Sequence, residues 1–292
     1  MSLKSKISGT FRRFMLEHFP SAVIDRDWLK WKGYKVDWDN PRDINEKIQW
    51  LLFRSDTSRW SDLSDKVRVR DYVASKGLGD LLVPLLGVWD KAEDIDFDLL
   101  PEKFVMKCNH DSGSFKIVDK KKSFDPDALR AHFARCLKRK VGYYYGELYY
   151  NAIEPKILAE AFLDAGESSV VDYKVRCFNG KPFCIMTCSN RTDKTVCLDL
   201  YDLDWNSHPE ALVFSKTCLD GGGIIPRPAC LDRLLEAAAL LSEGFPEVRV
   251  DFYVVDGKLY FGEMTFSSSH GMMTYFTDDY LVELGRQCVL PR

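Results

Sequence analysis

The chain has 292 residues, 46% of them hydrophobic and 29% charged, which is the ordinary composition of a soluble folded chain with enough length to bury a sizeable core. A formal net charge of −3 leaves no basic excess for nucleic acid, and the runs Lys120-Lys121-Lys122 and Lys138-Arg139-Lys140 read as solvated faces. No apolar run is long enough for a signal peptide or a transmembrane segment.

Residues 1–60 read as a helical N-terminal segment rich in aromatics, with Trp28, Trp31, Trp38, Trp50 and Trp60. Phe11, Phe14, Met15 and Phe19 fall near helical spacing beside Lys4, Lys6, Arg12 and Arg13. That pattern suits a helix packed on its own domain, with weak association to a membrane surface as the alternative. Asn45 to Leu52 follows Pro41 as a capped amphipathic helix, and residues 64–76 form the next, with Ser64 as N-cap and Gly77 closing it. The period then changes. Leu81 to Trp89 is short, apolar and strand-like around Pro84; Phe104 to Cys108 and Phe115 to Val118 are strands flanking a polar turn; Asp125 to Arg139 is helical; Lys156 to Phe162 is a further strand. Tyr173 to Cys188 forms a hairpin across Asn179-Gly180, Leu231 to Glu243 a helix closed by Gly244, and Val248 to Phe266 a last hairpin across Asp256-Gly257.

The nine cysteines make no C-x-x-C pair. Cys184 and Cys188 share a strand face, but no matching His or Cys pair completes a zinc site. They read as reduced thiols, which points to a reducing compartment and a cytoplasmic location.

The last hairpin carries the chemistry. Its strands are apolar apart from Arg249, Asp251, Glu263 and Thr265, and acids inside such strands are costly to desolvate unless a cation or metal compensates. Side chains alternate faces along a strand. A two-residue Asp256-Gly257 turn would therefore put Asp251 and Glu263 on opposite faces. A three-residue loop, Val255-Asp256-Gly257 with Gly257 left-handed, puts them on one face, diagonally placed. The bulged loop is the expectation. Lys107, ending an apolar strand before a small polar loop with Gly113, suits phosphate without being a Walker loop. Glu160, near the end of Ile157-Leu158-Ala159, could read a base edge and its sugar through the free backbone of Ala161 and Phe162. Cys108 invites a nucleophile reading, but no base is placed beside it by sequence.

In order, these pieces resemble an ATP-grasp enzyme. The stretches Asp65 to Val73, Pro84 to Trp89, Lys107-Cys108-Asn109-His110, Phe178 to Pro182, Tyr201 to Trp205 and Val248 to Asp251 are similar to the teichuronopeptide-biosynthesis, or TupA-like, group of bacterial surface-polysaccharide loci, over about residues 40–285. The resemblance implies an α+β fold of two lobes whose antiparallel sheets sandwich the nucleotide, with the helical segment 1–60, a small lobe at 61–160 and a C-terminal lobe at 161–292. It implies ATP and Mg²⁺ as cofactors. Lys66, Lys107 and the loop His110, Ser112, Gly113 and Ser114 would hold phosphates, while Glu160, Ala161 and Phe162 would contact the nucleoside. Lys174, Arg176 and Arg249 would face the transferred group, and Asp251, Glu263 and Thr265 would carry the metal. The implied reaction joins a carboxylate, small or glycan-linked, to an amine such as an amino acid through an acyl phosphate. Two departures stand out: Thr265 takes the place of the usual Asn, and the phosphate loop has a single glycine. The alternatives are a metal-dependent glycosyltransferase using Asp202-Leu203-Asp204, and a non-catalytic scaffold that keeps the fold.

Overall fold

A computed structural model describes residues 3–122, 124–166 and 170–291. The N-terminal helices are α1 (Leu3–His18), α2 (Pro20–Lys32), α3 (Ile44–Arg54), α4 (Ser58–Ser64) and α5 (Val69–Ser75). Helix α1 buries Leu16 and ties Arg12 to Asp27 at 2.7 Å, while Phe11, Phe14 and Phe19 stay more than half exposed. No helix among the described residues is long and apolar enough to cross a membrane. The start of α3 follows from its first turn. Asp43 accepts from the Glu46 N–H at 2.8 Å, and the Glu46 carboxylate reaches back to the Arg42 N–H at 2.7 Å. Ile44, Ile48 and Leu51 then form the buried stripe.

The helix expected over residues 64–76 begins only at Val69. Ser64 ends α4, and the capping carboxylate belongs to Asp65, which accepts from the N–H of Val67 at 2.8 Å and of Arg68 at 3.3 Å. This turn satisfies the backbone locally and competes with a continuous helix. It also brings the Lys66 N–H to the Asn109 carbonyl at 3.3 Å.

The first sheet has strand order β1–β4–β2–β3, from β1 (Leu85–Trp89), β2 (Lys103–Cys108), β3 (Lys116–Asp119) and β4 (Ile157–Ala161), all antiparallel. Residues 81–84, expected in the first strand, lie outside it, since Pro84 has no N–H for a ladder. Instead Leu82 makes one bridge to Phe261, and the Pro84 carbonyl accepts from the Ala161 N–H at 2.9 Å. Period-two alternation splits this sheet cleanly. Phe104, Met106, Cys108, Ile157 and Ala159 pack with Phe133 and Cys136 of α6 (Pro126–Cys136) into a small core. Lys103, Val105, Lys107, Ile117, Leu158 and Glu160 form the opposite face, exposed at Ile117 and covered at Leu158 and Glu160.

A short α7 (Gly142–Tyr145) leads back toward the second sheet. That sheet has the order β10–β9–β5–β6–β7–β8, built from β5 (Asp172–Phe178), β6 (Lys181–Ser189), β7 (Val196–Tyr201), β8 (Cys218–Asp220), β9 (Glu247–Val255) and β10 (Lys258–Thr265). Only β7–β8 is parallel. Helix α8 (Leu231–Ser242) covers one face, and α3 with α9 (Asp278–Gln287) closes one end of the other. Leu63, Val69, Val73, Leu78 and Leu81 join this larger core, so much of the stretch 61–84 packs with the second sheet, although the expected small lobe begins at residue 61.

The hairpin β9–β10 reaches the expected result by another route. Asp256 and Gly257 both have positive φ, 52° and 74°, and Val255 pairs with Lys258, so the turn has two residues and not three. The register shifts later, at Gly262: Phe261 pairs with Phe252, then Glu263 with Asp251. This β-bulge sets the two acids directly opposite on one face, not diagonally. Gly262 sits there at close approach. A Cβ would lie 3.0 Å from the Asp251 carbonyl and 3.2 Å from the Tyr253 ring. Gly262→Ala is expected to lose about 1–3 kcal/mol in urea unfolding by forcing the bulge open; an unchanged midpoint would show that the bulge tolerates a side chain.

Candidate functional site

Direct pairing across β5, β9 and β10 gathers charge on one face. Lys174 stands opposite Asp251, Asp251 opposite Glu263, and Arg249 opposite Thr265. Arg249 grips Asp251 with two donors, Nε to Oδ1 at 2.7 Å and Nη2 to Oδ2 at 2.8 Å. Lys174 Nζ donates to Asp251 Oδ2 at 2.5 Å and lies 3.5 Å from Asp172. Arg249 also reaches Thr265 Oγ1 at 3.0 Å, Glu263 Oε1 at 3.4 Å and Ser268 Oγ at 3.3 Å, and Thr265 donates to Glu263 at 3.2 Å. Asp251 is 2% exposed. Burial pushes its carboxyl up, but Arg249 and Lys174 outweigh burial and hold it below the usual range. Burial likewise works against the Lys174 ammonium, and Asp251 more than restores it. The Glu263 side chain keeps 41% of its surface, so this acid is the open one of the pair.

The opposite face of the first sheet supplies the other half. Lys107 Nζ meets Glu160 Oε2 at 2.6 Å, and Arg70 of α5 meets Glu160 Oε1 at 3.3 Å while bonding the Val83 carbonyl at 2.9 Å. Lys66 Nζ donates to the Asp111 carbonyl at 2.8 Å. Burial pushes the Lys66 ammonium down; Glu263, Asp111 and Glu160 pull it up, and Lys107 adds to the depression. Lys66, Lys107, Glu160 and Glu263 therefore share one electrostatic neighbourhood. Tyr253 feels the same charges: burial, then Asp172, Glu263, Asp251 and Glu160, push its phenol well up. Arg70 and Tyr253 had no place in the sequence reading, although Arg70 lies within the quoted stretch Asp65 to Val73.

At the far end of the same face a cavity of about 410 Å³ is lined by Lys103, Ile117, Asp119, Lys122 and Phe162. Phe162 carries Lys103 Nζ 3.7 Å above its ring. The Ala161 N–H is already bonded to Pro84.

The polar loop divides. Ser112 and Gly113 form an exposed tip, with Gly113 at φ 91°. His110 and Ser114 are buried, at 2% and 1% exposure. Ser114 Oγ accepts from the Cys108 N–H at 2.9 Å and donates to Asp111. Burial holds the His110 ring below its ordinary range, and neither of its ring nitrogens has a partner among the described residues. Ser114 thus braces the loop from inside, through Cys108 and Asp111, and His110 is buried near Lys66. The Cys108 thiol, pushed up to about 12 by burial, is no nucleophile.

Arg176 also departs from its expected place. It shares the strand face of Lys174 but is 3% exposed, bonded to Glu247 and lying 3.2 Å from Met273 Sδ, whose backbone is held by Asn45 of α3. It is a core ion pair, shut off from the face it was expected to serve. Burial pushes Glu247 up to about 7 against the pull of Arg176. Between the ordinary carboxylate range and about 7 the unfolded chain has released this proton and the folded chain retains it. Rising pH then erodes stability, by at most about 1.4 kcal/mol per pH unit. Chemical denaturation at a series of pH values from 5 to 8 is expected to show a steeper fall for the wild type than for Glu247→Gln; parallel curves would contradict it.

The Asp202-Leu203-Asp204 triplet closes on itself. Asp202 accepts from the N–H groups of Asp204 at 3.0 Å and Asn206 at 2.8 Å, and from Asn206 Nδ2 at 2.8 Å. It builds a turn and leaves little carboxylate free for a metal.

Comparison with known proteins shows the family. The family described as TupA-like ATPgrasp matches residues 46–289. No curated protein matches the chain. Among solved structures, the D-alanine–D-alanine ligase of Bacillus anthracis complexed with ATP is 17% identical, with a TM-score of 0.44 over 77% of this chain and 61% of that one. The L-amino acid ligase of Bacillus licheniformis is 14% identical, with 0.47 over 88% and 57%. The D-alanine–D-alanine ligase of Helicobacter pylori is 12% identical, with 0.47 over 85% and 67%. The chain spans less than two thirds of the length of the two Bacillus structures.

Proposed function

The chain belongs to the TupA-like ATPgrasp family, and from that premise we propose that it binds Mg²⁺-ATP between its two sheets and joins a carboxylate to an amine through an acyl phosphate. The observation that carries the reading is the meeting of Lys66, Lys107 and Glu160 from the first half of the chain with Lys174, Arg249, Asp251 and Glu263 from the second. Polyphosphate needs just such clustered ammonium and guanidinium groups, pre-oriented by acids that release them when phosphate arrives. The cavity over Phe162 and Ile117 offers an apolar floor for a purine at the end of the face remote from Lys107. Because the Ala161 N–H is engaged by Pro84, base recognition falls to Phe162 and the segment after it.

The donor set fits Mg²⁺. Two opposed carboxylates and the Thr265 hydroxyl are hard oxygen ligands, and the exposed edge of Glu263 leaves room for the ion's waters. When bound, the ion would offset the negative charge of the phosphates during transfer. Asp251 and Glu263 would hold it, Thr265 would orient Glu263, and Arg249, released from Asp251, would turn its fork toward the transferred phosphoryl group. Lys174, likewise released from Asp251, would neutralise the acyl acceptor. The acceptor carboxylate suggested by the family is a uronic acid of a surface glycan or nucleotide sugar, with an amino acid as amine, in the cytoplasm.

Thermal unfolding with Mg²⁺-ATP and, separately, with Mn²⁺ and UDP-sugars tests the nucleotide. Saturation at a hundredfold excess over Kd adds about 2.7 kcal/mol. Stabilisation by UDP-sugars alone would overturn the reading in favour of glycosyl transfer. ADP release is then measured across pairs of uronic acids and amino acids; Mg²⁺-ATP binding without ADP release over that panel would favour a scaffold.

A further inference from the structure

Behind the exposed tip of the loop, on the core side of the first sheet, two cysteines and an aspartate meet, and a histidine stands beside one of the cysteines. Cys108 ends β2, Asp111 follows three residues later, and His132 and Cys136 lie one turn apart on α6. Cys108 and Cys136 are 0% exposed and Asp111 2%. One ligand atom from each of Cys108, Asp111 and Cys136 lies within 4.8 Å of the others. His132 Nε2 stands 3.6 Å from Cys136 Sγ. Bonds of about 2.3 Å to sulfur and about 2.0–2.1 Å to nitrogen, at tetrahedral angles, put a sulfur and a nitrogen ligand about 3.6 Å apart. Charge also balances. Two thiolates and a carboxylate carry three negative charges, a divalent ion two positive, and Arg139, 3.2 Å from Asp111 Oδ2, supplies the third. Ser114, which donates to Asp111 and accepts from the Cys108 N–H, orients both residues from outside the cluster.

We propose that Cys108, Asp111 and Cys136 hold a structural Zn²⁺ ion, with His132 turning in from beside Cys136 as the fourth ligand of a tetrahedral site. Mixed thiolate and imidazole donors favour zinc over the magnesium expected at the carboxylate pair. Binding releases the two thiol protons to solvent and leaves His132 ligated through Nε2, which moves off the Ser114 carbonyl it now meets at 3.1 Å. The ion fastens the loop to α6. Since the Asp111 carbonyl holds Lys66 Nζ, the ion also fixes a lysine of the nucleotide face.

The test uses the full chain, reduced and stripped with EDTA, then titrated with Co²⁺ as a spectroscopic substitute. One equivalent is expected to give a thiolate-to-cobalt charge-transfer band with the strong visible bands of a tetrahedral ion, and one equivalent of Zn²⁺ to displace it. Cys136→Ser and His132→Gln are expected to lose or weaken the bands, while Cys197→Ser and Cys230→Ser, at half-exposed positions elsewhere, keep them. Cadmium NMR of the wild-type chain reads two thiolate ligands even if a variant fails to fold. Three results would overturn the proposal: no stoichiometric cobalt bands, bands unchanged in folded Cys136→Ser, or a Cys108–Cys136 disulfide in the chain isolated without reductant and no metal uptake after reduction. None of these readouts depends on ATP.

Discussion

Asp251→Asn is expected to abolish stabilisation by Mg²⁺-ATP and to reduce ADP formation by about 10²–10³-fold or more. Asparagine keeps the shape of the side chain and removes its charge. Arg249 and Lys174, each with 12% of its side chain exposed, then face a neutral amide. Their remaining acids are Glu263 at 3.4 Å from Arg249 and Asp172 at 3.5 Å from Lys174. Part of the lost attraction is recovered there, so the fold should weaken by about 3 kcal/mol, at the lower end for a broken buried pair. Stability and binding can be separated by comparing the ligand-induced shift, not the absolute midpoint. Lys174→Met combined with Asp251→Asn should restore part of the stability and none of the binding. A Mg²⁺-ATP shift that survives Asp251→Asn together with Glu263→Gln would remove the metal assignment.

Arg176→Met is expected to do the reverse. It leaves Glu247 enclosed without its cation, at a cost of about 3–5 kcal/mol above neutral pH. The cost should shrink at pH 6, because burial has already raised the Glu247 carboxyl to about 7 and the acid can take up a proton in place of its partner. The shift produced by Mg²⁺-ATP should be kept wherever the variant is folded. Denaturant titration at pH 6 and pH 8, with and without nucleotide, checks both halves. Loss of nucleotide binding in a folded Arg176→Met chain would return Arg176 to the site.

Local signals were readable where the chain itself enforces them. Asn179-Gly180 adopts positive φ at both residues, 50° and 79°, and turns the hairpin where the dipeptide says it should. Asp125 caps α6 by accepting from the Ala128 N–H at 2.9 Å. Other features depend on partners remote in sequence. The bulge at Gly262 arises from the approach of the β9 backbone, so sequence could state that a register shift was needed but not where. Arg176 and Lys174 are two residues apart on one strand face, yet one is bonded to Glu247 beside Met273 and the other to Asp251; alternation alone assigns them alike. The three-residue β8 is partly exposed and pairs in parallel with β7, which leaves no periodicity to detect. Helix α9 was legible in principle, since Thr277 caps it by accepting from the Tyr280 N–H and Asp278 and Asp279 fill its first turn.

The double grip on Asp251 also bears on order and cooperativity. A cation coming to this carboxylate must compete with two that are already there. A bare divalent ion offers nothing to the guanidinium and ammonium it displaces, so its affinity on its own is low. An ion that arrives with a polyphosphate brings acceptors for both. On the reading proposed here, metal and nucleotide therefore strengthen each other by one and the same factor, whichever is added first. A titration of Mg²⁺ without nucleotide would report a far weaker site than the one used in turnover.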